Sequence, residues 1–255
     1  MEIKFTKYQG TGNDFVIIDN RDGKYQNLKV DRICDRKFGI GGDGLMLLEN
    51  HPNYDFKMAY YNSDGALSSM CGNGGRCLVH FAHSLGIFKG ECTFIAIDGE
   101  HVGRIEGDQV SLKMNNVESL EQIQNTFVLD TGSPHYIKLI TAMPNETFVA
   151  EAREIRLSPK FKKEGINVNF IKVTNNLIEI RTFERGVEDE TLSCGTGVTA
   201  AAIVAHAAQN KEPGEHLYNI QSQGGKLTVK FQYTDNVYSN VWLIGPAKKV
   251  FTGEI

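Results

Sequence analysis

A chain of 255 residues, 41% of them hydrophobic and 23% charged, has the composition of a folded globular protein and the length for one large domain or two smaller ones. Its net charge of −4 gives no basic footprint for nucleic acid. The longest soft apolar run, 198–208, is broken by Thr199 and His206 and falls far short of the ~20 residues a membrane span needs.

The chain opens on 1–8, MEIKFTKY, whose apolar–polar alternation reads as a strand and lacks the hydrophobic core of a signal peptide. "GTGNDF" at 10–15 and "FGIGGDGL" at 38–45 follow as glycine turns. A strand over 54–61 ends at Asn62, and nine residues on comes Cys71 of "SSMCGNGGRC". After that cysteine, apolar residues at Leu78, Phe81, Ala82 and Leu85 have a helical period, with Gly86 as the stop. Three short strands are predicted over 93–97, 101–105 and 110–114, separated by turns at Asp98-Gly99 and Gly107-Asp108.

The second half repeats this order. "TGSPHY" at 131–136 faces "GTGNDF", and "EGINVNFI" at 164–171 faces "FGIGGDGL" with the Gly-Ile pairs offset by 126. A strand over 177–183 ends near Glu184-Arg185, and nine residues beyond Arg185 lies Cys194 of "LSCGTGVTAA", offset from Cys71 by 123. An alanine-rich helix over 195–209, apolar nearly all round and so expected to be buried, is followed by strands near 218–221, 227–233 and 237–244. The turns between them are expected at Gly224-Gly225 and Asp235-Asn236. Four matches in one order predict a duplicated α+β architecture. It would have two pseudo-symmetric lobes, each a mixed or antiparallel sheet wrapped around a central helix, with the active site in the cleft between them. The expected lobes are 1–116, to which about 246–255 returns, and 117–245, with a polar linker near 115–124.

A helix N-terminus exposes unpaired N–H groups and carries roughly half a positive charge. A thiol placed there loses its proton more readily, and glycines after it let backbone amides approach an anion closely. Two such sites would suit proton transfer across a stereocentre: one thiolate takes an α-proton, and the other thiol returns one from the opposite face. Amides aimed at the α-carboxylate would stabilise the growing charge, so no cofactor is called for. The other cysteine chemistries fit less well. Cys71 and Cys77 are six apart and no second pair answers them, so no zinc site is predicted, and a redox C-x-x-C is absent. Five cysteines form an odd set without framework spacing, which points to a reducing, cytoplasmic compartment and makes a 71–194 disulfide unusual. A lone nucleophilic cysteine and inert buried thiols stay open on these residues alone. Cys34, Cys77 and Cys92 read as packing, and His80 and His83, which share a helix face with no third ligand in register, as packing or surface.

The stretches "KYQGTGNDFVIID", "FGIGGDG", "YYNSDG", "CGNGGRC" and "FERGVEDETLSCGTG" together resemble the diaminopimelate epimerases, cofactor-independent two-cysteine enzymes of lysine and peptidoglycan precursor biosynthesis. The resemblance implies conversion of LL-2,6-diaminopimelate to the meso form, with Cys194 as proton acceptor and Cys71 as donor. It implies that His135 and Glu184 tune the thiols, and that Gly72, Asn73, Gly195 and Thr196 hold the reacting carboxylate. Asn13, Asn62, Asn167, Glu184 and Arg185 would contact substrate, several at its distal amino-acid end. It also implies a homodimer. Two positions depart from the family pattern: Gly44 stands where a glutamine is usual, and Ser133 where an asparagine is usual. Ser133 is shorter but still hydrogen-bonds, whereas Gly44 loses or moves its contact. The competing readings are another two-cysteine racemase of the proline or hydroxyproline type, and a non-enzymatic anion-binding protein with structural or redox cysteines.

Overall fold

The computed structural model describes residues 2–144, 146–209 and 212–255. The fold is α+β and rich in strands, with four helices among the described residues. The chain divides into two compact units, Met1–Leu112 with Gly245–Ile255, and Lys113–Ile244.

In the first unit the strands are β1 (Lys4–Gly10), β2 (Asn13–Asp19), β3 (Gly44–Glu49), β4 (Phe56–Asn62), β5 (Leu67–Ser68), β6 (Glu91–Ala96), β7 (Gly99–Glu106) and β8 (Gln109–Lys113), completed by β18 (Lys248–Glu254) from the chain's end. Their order is β18-β1-β2-β3-β4-β6-β7-β8, with β5 added to β4. The β2–β3 and β4–β6 pairs are parallel and the rest antiparallel. Helix α2 (Gly72–Ser84) packs on β1, β2, β3, β7 and β18. The opposite face, including Val16, Ile18, Leu45 and Leu47, is covered by the short α1 (Val30–Cys34) through Val30 and Ile33. This is the period-two division a two-faced strand requires.

The second unit comprises β9 (Glu121–Ile123), β10 (Thr126–Asp130), β11 (Pro134–Leu139), β12 (Asn167–Thr174), β13 (Leu177–Glu184), β14 (Asp189–Thr191), β15 (Gly214–Ser222), β16 (Gly225–Thr234) and β17 (Val237–Pro246). The order is β9-β10-β11-β12-β13-β15-β16-β17, with β14 added to β13. Here too the third and fifth pairs, β11–β12 and β13–β15, are parallel and the rest antiparallel. The segment expected as a bare linker carries β9 and a bridge from Val117 to Tyr238. Helix α3 (Phe148–Arg156) covers Val168, Phe170 and Phe183 on one face. Helix α4 (Gly195–Gln209) lies against β10 to β13, β15 and β16 on the other. Its Val198, Ile203 and Val204 are wholly buried, each contributing ~1.5–3 kcal/mol relative to exposure.

Local chemistry sets the boundaries. α2 stops where Gly86 takes φ +72° and the Gly86 and Ile87 amides bond back to His83 and Ala82. The β16–β17 turn falls at Asp235-Asn236, both left-handed, as a two-residue hairpin turn wants. The β15–β16 turn is Gln223-Gly224, one residue earlier than Gly224-Gly225, because Ser222 and Gly225 already pair. β15 itself begins at Gly214, four residues before its predicted start: the exposed Leu217 breaks the alternation that would have revealed it.

Candidate active site

Cys71 is the N-cap of α2 (φ −94°, ψ 131°), and its carbonyl accepts the first intrahelical bond from Gly75 at 2.7 Å. The amides of Gly72, Asn73 and Gly74 therefore have no intrahelical acceptor, the arrangement found at helix starts that hold anions. The glycines are there for close packing: a Cβ on Gly75 would sit 2.8 Å from Leu112 Cδ1 and 2.9 Å from Met70 Sδ. Cys71 Sγ lies 3.7 Å from Asn13 Oδ1. Asn13 donates its amide to Asp43, whose other oxygen takes Arg36 at 2.7 Å. Asn73 Nδ2 reaches Asn13 Oδ1 at 3.4 Å. Asn62 is half-buried at the end of β4, where its carbonyl accepts from Gly65 at 2.9 Å, and it stands beside Gly44 in the β3–β4 register.

Arg76 is a participant the sequence reading missed. Its side chain is wholly buried, and its guanidinium donates to Asn73 Oδ1 (3.0 Å), Thr11 Oγ1 (3.2 Å), Gly72 O (3.2 Å) and Pro246 O (3.5 Å). These acceptors are all neutral. Burial lowers the affinity of Arg76 for its proton, yet a guanidinium stays charged inside proteins. A fixed positive charge thus adds to the dipole at the first turn of α2. A charged residue amid small ones one turn after a helix start was the signal available in "CGNGGRC".

In the second unit the Cys194 carbonyl accepts the amide of Val198 at 2.9 Å, so this cysteine also occupies an N-cap and leaves the amides of Gly195, Thr196 and Gly197 without intrahelical acceptors. Cys194 Sγ is 3.4 Å from Thr196 Oγ1, which is 2.8 Å from His135 Nε2. His135 is fully buried, and burial, with the Arg185 field acting in the same direction, pushes its pKa down to about 3. Its imidazole is neutral at physiological pH. Asn167 donates to Ser133 Oγ (2.9 Å) and Pro134 O (3.0 Å) and accepts the Arg185 amide at 2.9 Å. Arg185, exposed, reaches Ser133 Oγ at 3.4 Å and Glu164 O at 3.2 Å. Glu184 accepts from Thr191 Oγ1 at 3.0 Å. Ser133, Asn167 and Arg185 therefore form one cluster, and His135, Thr196 and Cys194 another. Asn169 and Thr182, which sequence reading passed over, extend the second. Two asparagines at alternate positions in the buried first half of β12 were the signal.

The two departures have structural counterparts. Ser133 keeps hydrogen bonds to Asn167 and Arg185. At Gly44 a Cβ would lie 2.6 Å from both Tyr60 Cε2 and Tyr61 O, so the Tyr60 ring fills the space a side chain would enter. The three remaining cysteines are unreactive by environment: burial raises Cys34 to about 11 and Cys77 and Cys92 to about 12. His80 bonds the Tyr8 hydroxyl at 3.0 Å, and His83 packs edge-on against Phe88. Among the described residues no group of three or more His, Cys, Asp or Glu is placed to hold a metal ion. No described helix is long and apolar enough to cross a membrane.

The fold is shared with solved structures of low sequence identity. A PhzF-family phenazine biosynthesis protein of Bacillus anthracis matches with TM-score 0.79 at 14% identity, covering 100% of this chain and 99% of that one. A hydroxyproline epimerase of Agrobacterium vitis matches with TM-score 0.69 at 13% identity, covering 100% and 91%. The likeness is one of fold, strand-rich and α+β with few helices. The diaminopimelate epimerase family model matches residues 5–119 and 127–250. Diaminopimelate epimerases of Flavobacterium psychrophilum (50% identity, 98% of each chain), Chlorobaculum tepidum (39%, 96% of this chain and 98% of that one) and Aquifex aeolicus (34%, 99% and 98%) are similar over nearly their whole lengths. The chain belongs to the diaminopimelate epimerase family.

Proposed function

We propose that the protein interconverts LL- and meso-2,6-diaminopimelate by two-base proton transfer, with Cys71 and Cys194 as the acid and base. The observation that carries this is the equivalence of the two cysteines: each is the N-cap of a helix whose next three amides lack intrahelical acceptors. In the LL direction the Cys194 thiolate takes the α-proton, breaking the C–H bond. The electron pair passes into the carboxylate, and the Cys71 S–H protonates the opposite face. The amides of Gly72, Asn73, Gly195 and Thr196 meet the charge that grows on the carboxylate in the transition state. Each turnover is redox-neutral and leaves the proton on Cys194 and the thiolate on Cys71. Ser133, Asn167 and Arg185 suit the carboxylate of a second amino-acid end, since an arginine fork matches that geometry. His135 and Glu184 would set the thiol environment rather than carry the proton. A small amino-acid substrate, cytoplasmic location and a homodimer belong to the same reading.

The test is α-proton exchange in heavy water with diaminopimelate and proline side by side. Wild-type protein should incorporate deuterium into diaminopimelate and not proline. Cys71→Ser and Cys194→Ser should each lose at least a thousandfold in epimerisation, because an alcohol is far too weak an acid to replace the thiol. Near wild-type turnover by either variant would exclude the two-base mechanism.

A further inference from the structure

A chain of buried hydrogen bonds behind Cys194 has a direction that its members fix among themselves. Asn169 Nδ2 lies 3.0 Å from His135 Nδ1, 3.2 Å from Tyr136 O and 3.4 Å from Asn167 O. Two of these neighbours are carbonyl oxygens, which only accept, so the amide nitrogen must be on this side. The Asn169 oxygen then faces Thr182 Oγ1, 2.9 Å away, which donates to it. With an N–H directed at it, His135 Nδ1 is the acceptor of the neutral ring, and the proton is on Nε2. That N–H donates to Thr196 Oγ1 at 2.8 Å. Having accepted it, the Thr196 hydroxyl has its one hydrogen left for Cys194 Sγ, 3.4 Å away.

We propose that Asn169 and Thr182 are positioning residues that lock His135 in its Nε2–H tautomer, so that Thr196 donates a hydrogen bond to Cys194 and holds it as the thiolate. The proposal rests on the epimerase reading for its meaning in turnover, and not for its geometry. A hydrogen bond given to a charged form favours that form, so the chain stabilises the base before substrate arrives. The opposite tautomer would set an N–H against the Asn169 amide and reverse the arrow from His135 to Thr196: Thr196 would donate to the imidazole and turn an oxygen lone pair on the sulfur. Because His135 is deeply buried and stays neutral, the donor remains in place through the physiological range. Of the charged groups on elements packed around the chain, Arg185 acts on His135 through its field and Glu184 accepts from Thr191. Asp130 accepts from the Gly132 amide. Lys138, Lys172, Arg181 and Lys230 are paired with Glu151, Glu179, Glu190 and Glu215. His206, in the last turn of α4, bonds Tyr238 and the Glu212 carbonyl.

Two measurements, neither using turnover, test the chain. Nitrogen-15 spectra of the full-length protein, with His135 assigned by comparison with His135→Gln, should show a neutral ring protonated on Nε2 from pH 5 to 8. An Nδ1-protonated ring would overturn the proposal directly, whatever the variants do. Second, the pH dependence of iodoacetamide alkylation at Cys194 is followed by peptide mass spectrometry. Asn169→Leu should raise the Cys194 midpoint by about one pH unit and leave the Cys71 midpoint in place. Thr182→Val should raise it by less, and Thr182→Ser should restore the wild-type value. Folded Asn169→Leu with an unchanged midpoint would show that Asn169 only packs. If the chain holds while wild-type protein fails to exchange the diaminopimelate α-proton, the epimerase reading fails and the tautomer assignment stands.

Discussion

Arg76 carries a whole charge out of water, and the oxygens that accept from its guanidinium are neutral, an arrangement that costs folding energy. Such a residue persists when the charge has a use, and its place one turn inside α2 gives one, a positive field at Cys71 and the first-turn amides. Arg76→Met should raise the Cys71 alkylation midpoint by about one to two pH units and leave Cys194 unmoved, while Arg76→Lys, which keeps the charge, should retain most of the wild-type value. Equal midpoints in wild type and Arg76→Met would reduce Arg76 to a structural strut. The small residues around it in "CGNGGRC" were the one sign of its burial, and an arginine at a helix start is ordinarily a solvated charge, so the sign was outweighed. The cysteines were legible for the opposite reason. Cys-Gly-x-Gly before an apolar run leaves few readings besides a helix start, and it occurs twice.

At the level of elements, α4 comes as close to its sheet as Gly197 permits. A Cβ there would sit 2.7 Å from Asn169 Oδ1 and 3.2 Å from His135 Cε1. Gly197→Ala should therefore cost about 1–3 kcal/mol in urea denaturation and push Asn169 away from His135, raising the Cys194 alkylation midpoint as well. A stability loss with no change at Cys194 would uncouple packing from the thiol. Antiparallel hairpins such as β16–β17 were readable from alternation and turn residues, since both are local. The parallel pairs β2–β3, β4–β6, β11–β12 and β13–β15 were not, because partners separated by a crossover leave no local pattern. That limit also misaligned the halves. Matching Gly-Ile pairs gave an offset of 126, whereas Gly44 and Asn167 each open a parallel pair, against Phe15 and His135. The difference 167 − 44 is 123, the same as 194 − 71. Gly44 thus holds in the first unit the place that Asn167 holds in the second, and Tyr60 fills the gap left by the missing side chain.

For the molecule as a whole, buried groups that will not take up protons set its response to acid. His135 binds its proton only near pH 3 when folded, against about 6.5 in an unfolded chain. Between those values the unfolded state holds more protons, so stability falls as pH drops from 6.5 toward 3, by up to ~1.4 kcal/mol per pH unit. At Asp14 burial favours the neutral acid, but hydrogen bonds from Arg36 and Lys7 outweigh it and hold the carboxyl well below the usual range. Its loss has the same sign and begins only below pH 4. The urea midpoint should therefore decline steadily from pH 6.5 to 4 in wild type and run flatter in His135→Gln. Parallel slopes would mean that other groups dominate.

The last strand belongs to the first sheet. β18 pairs with β1 from Lys4–Glu254 to Gln9–Lys248, and the Ile3 and Ile255 backbones exchange hydrogen bonds in both directions. During synthesis β1 is made before β18 and waits, with one edge bare, while every intervening residue is made. The second unit is complete at Ile244 and can close before β18 is made. Translation order and folding order are therefore inverted between the halves: the part encoded first is finished last. Quality control, if it acts on the nascent chain, meets an unpaired β1 edge until β18 emerges.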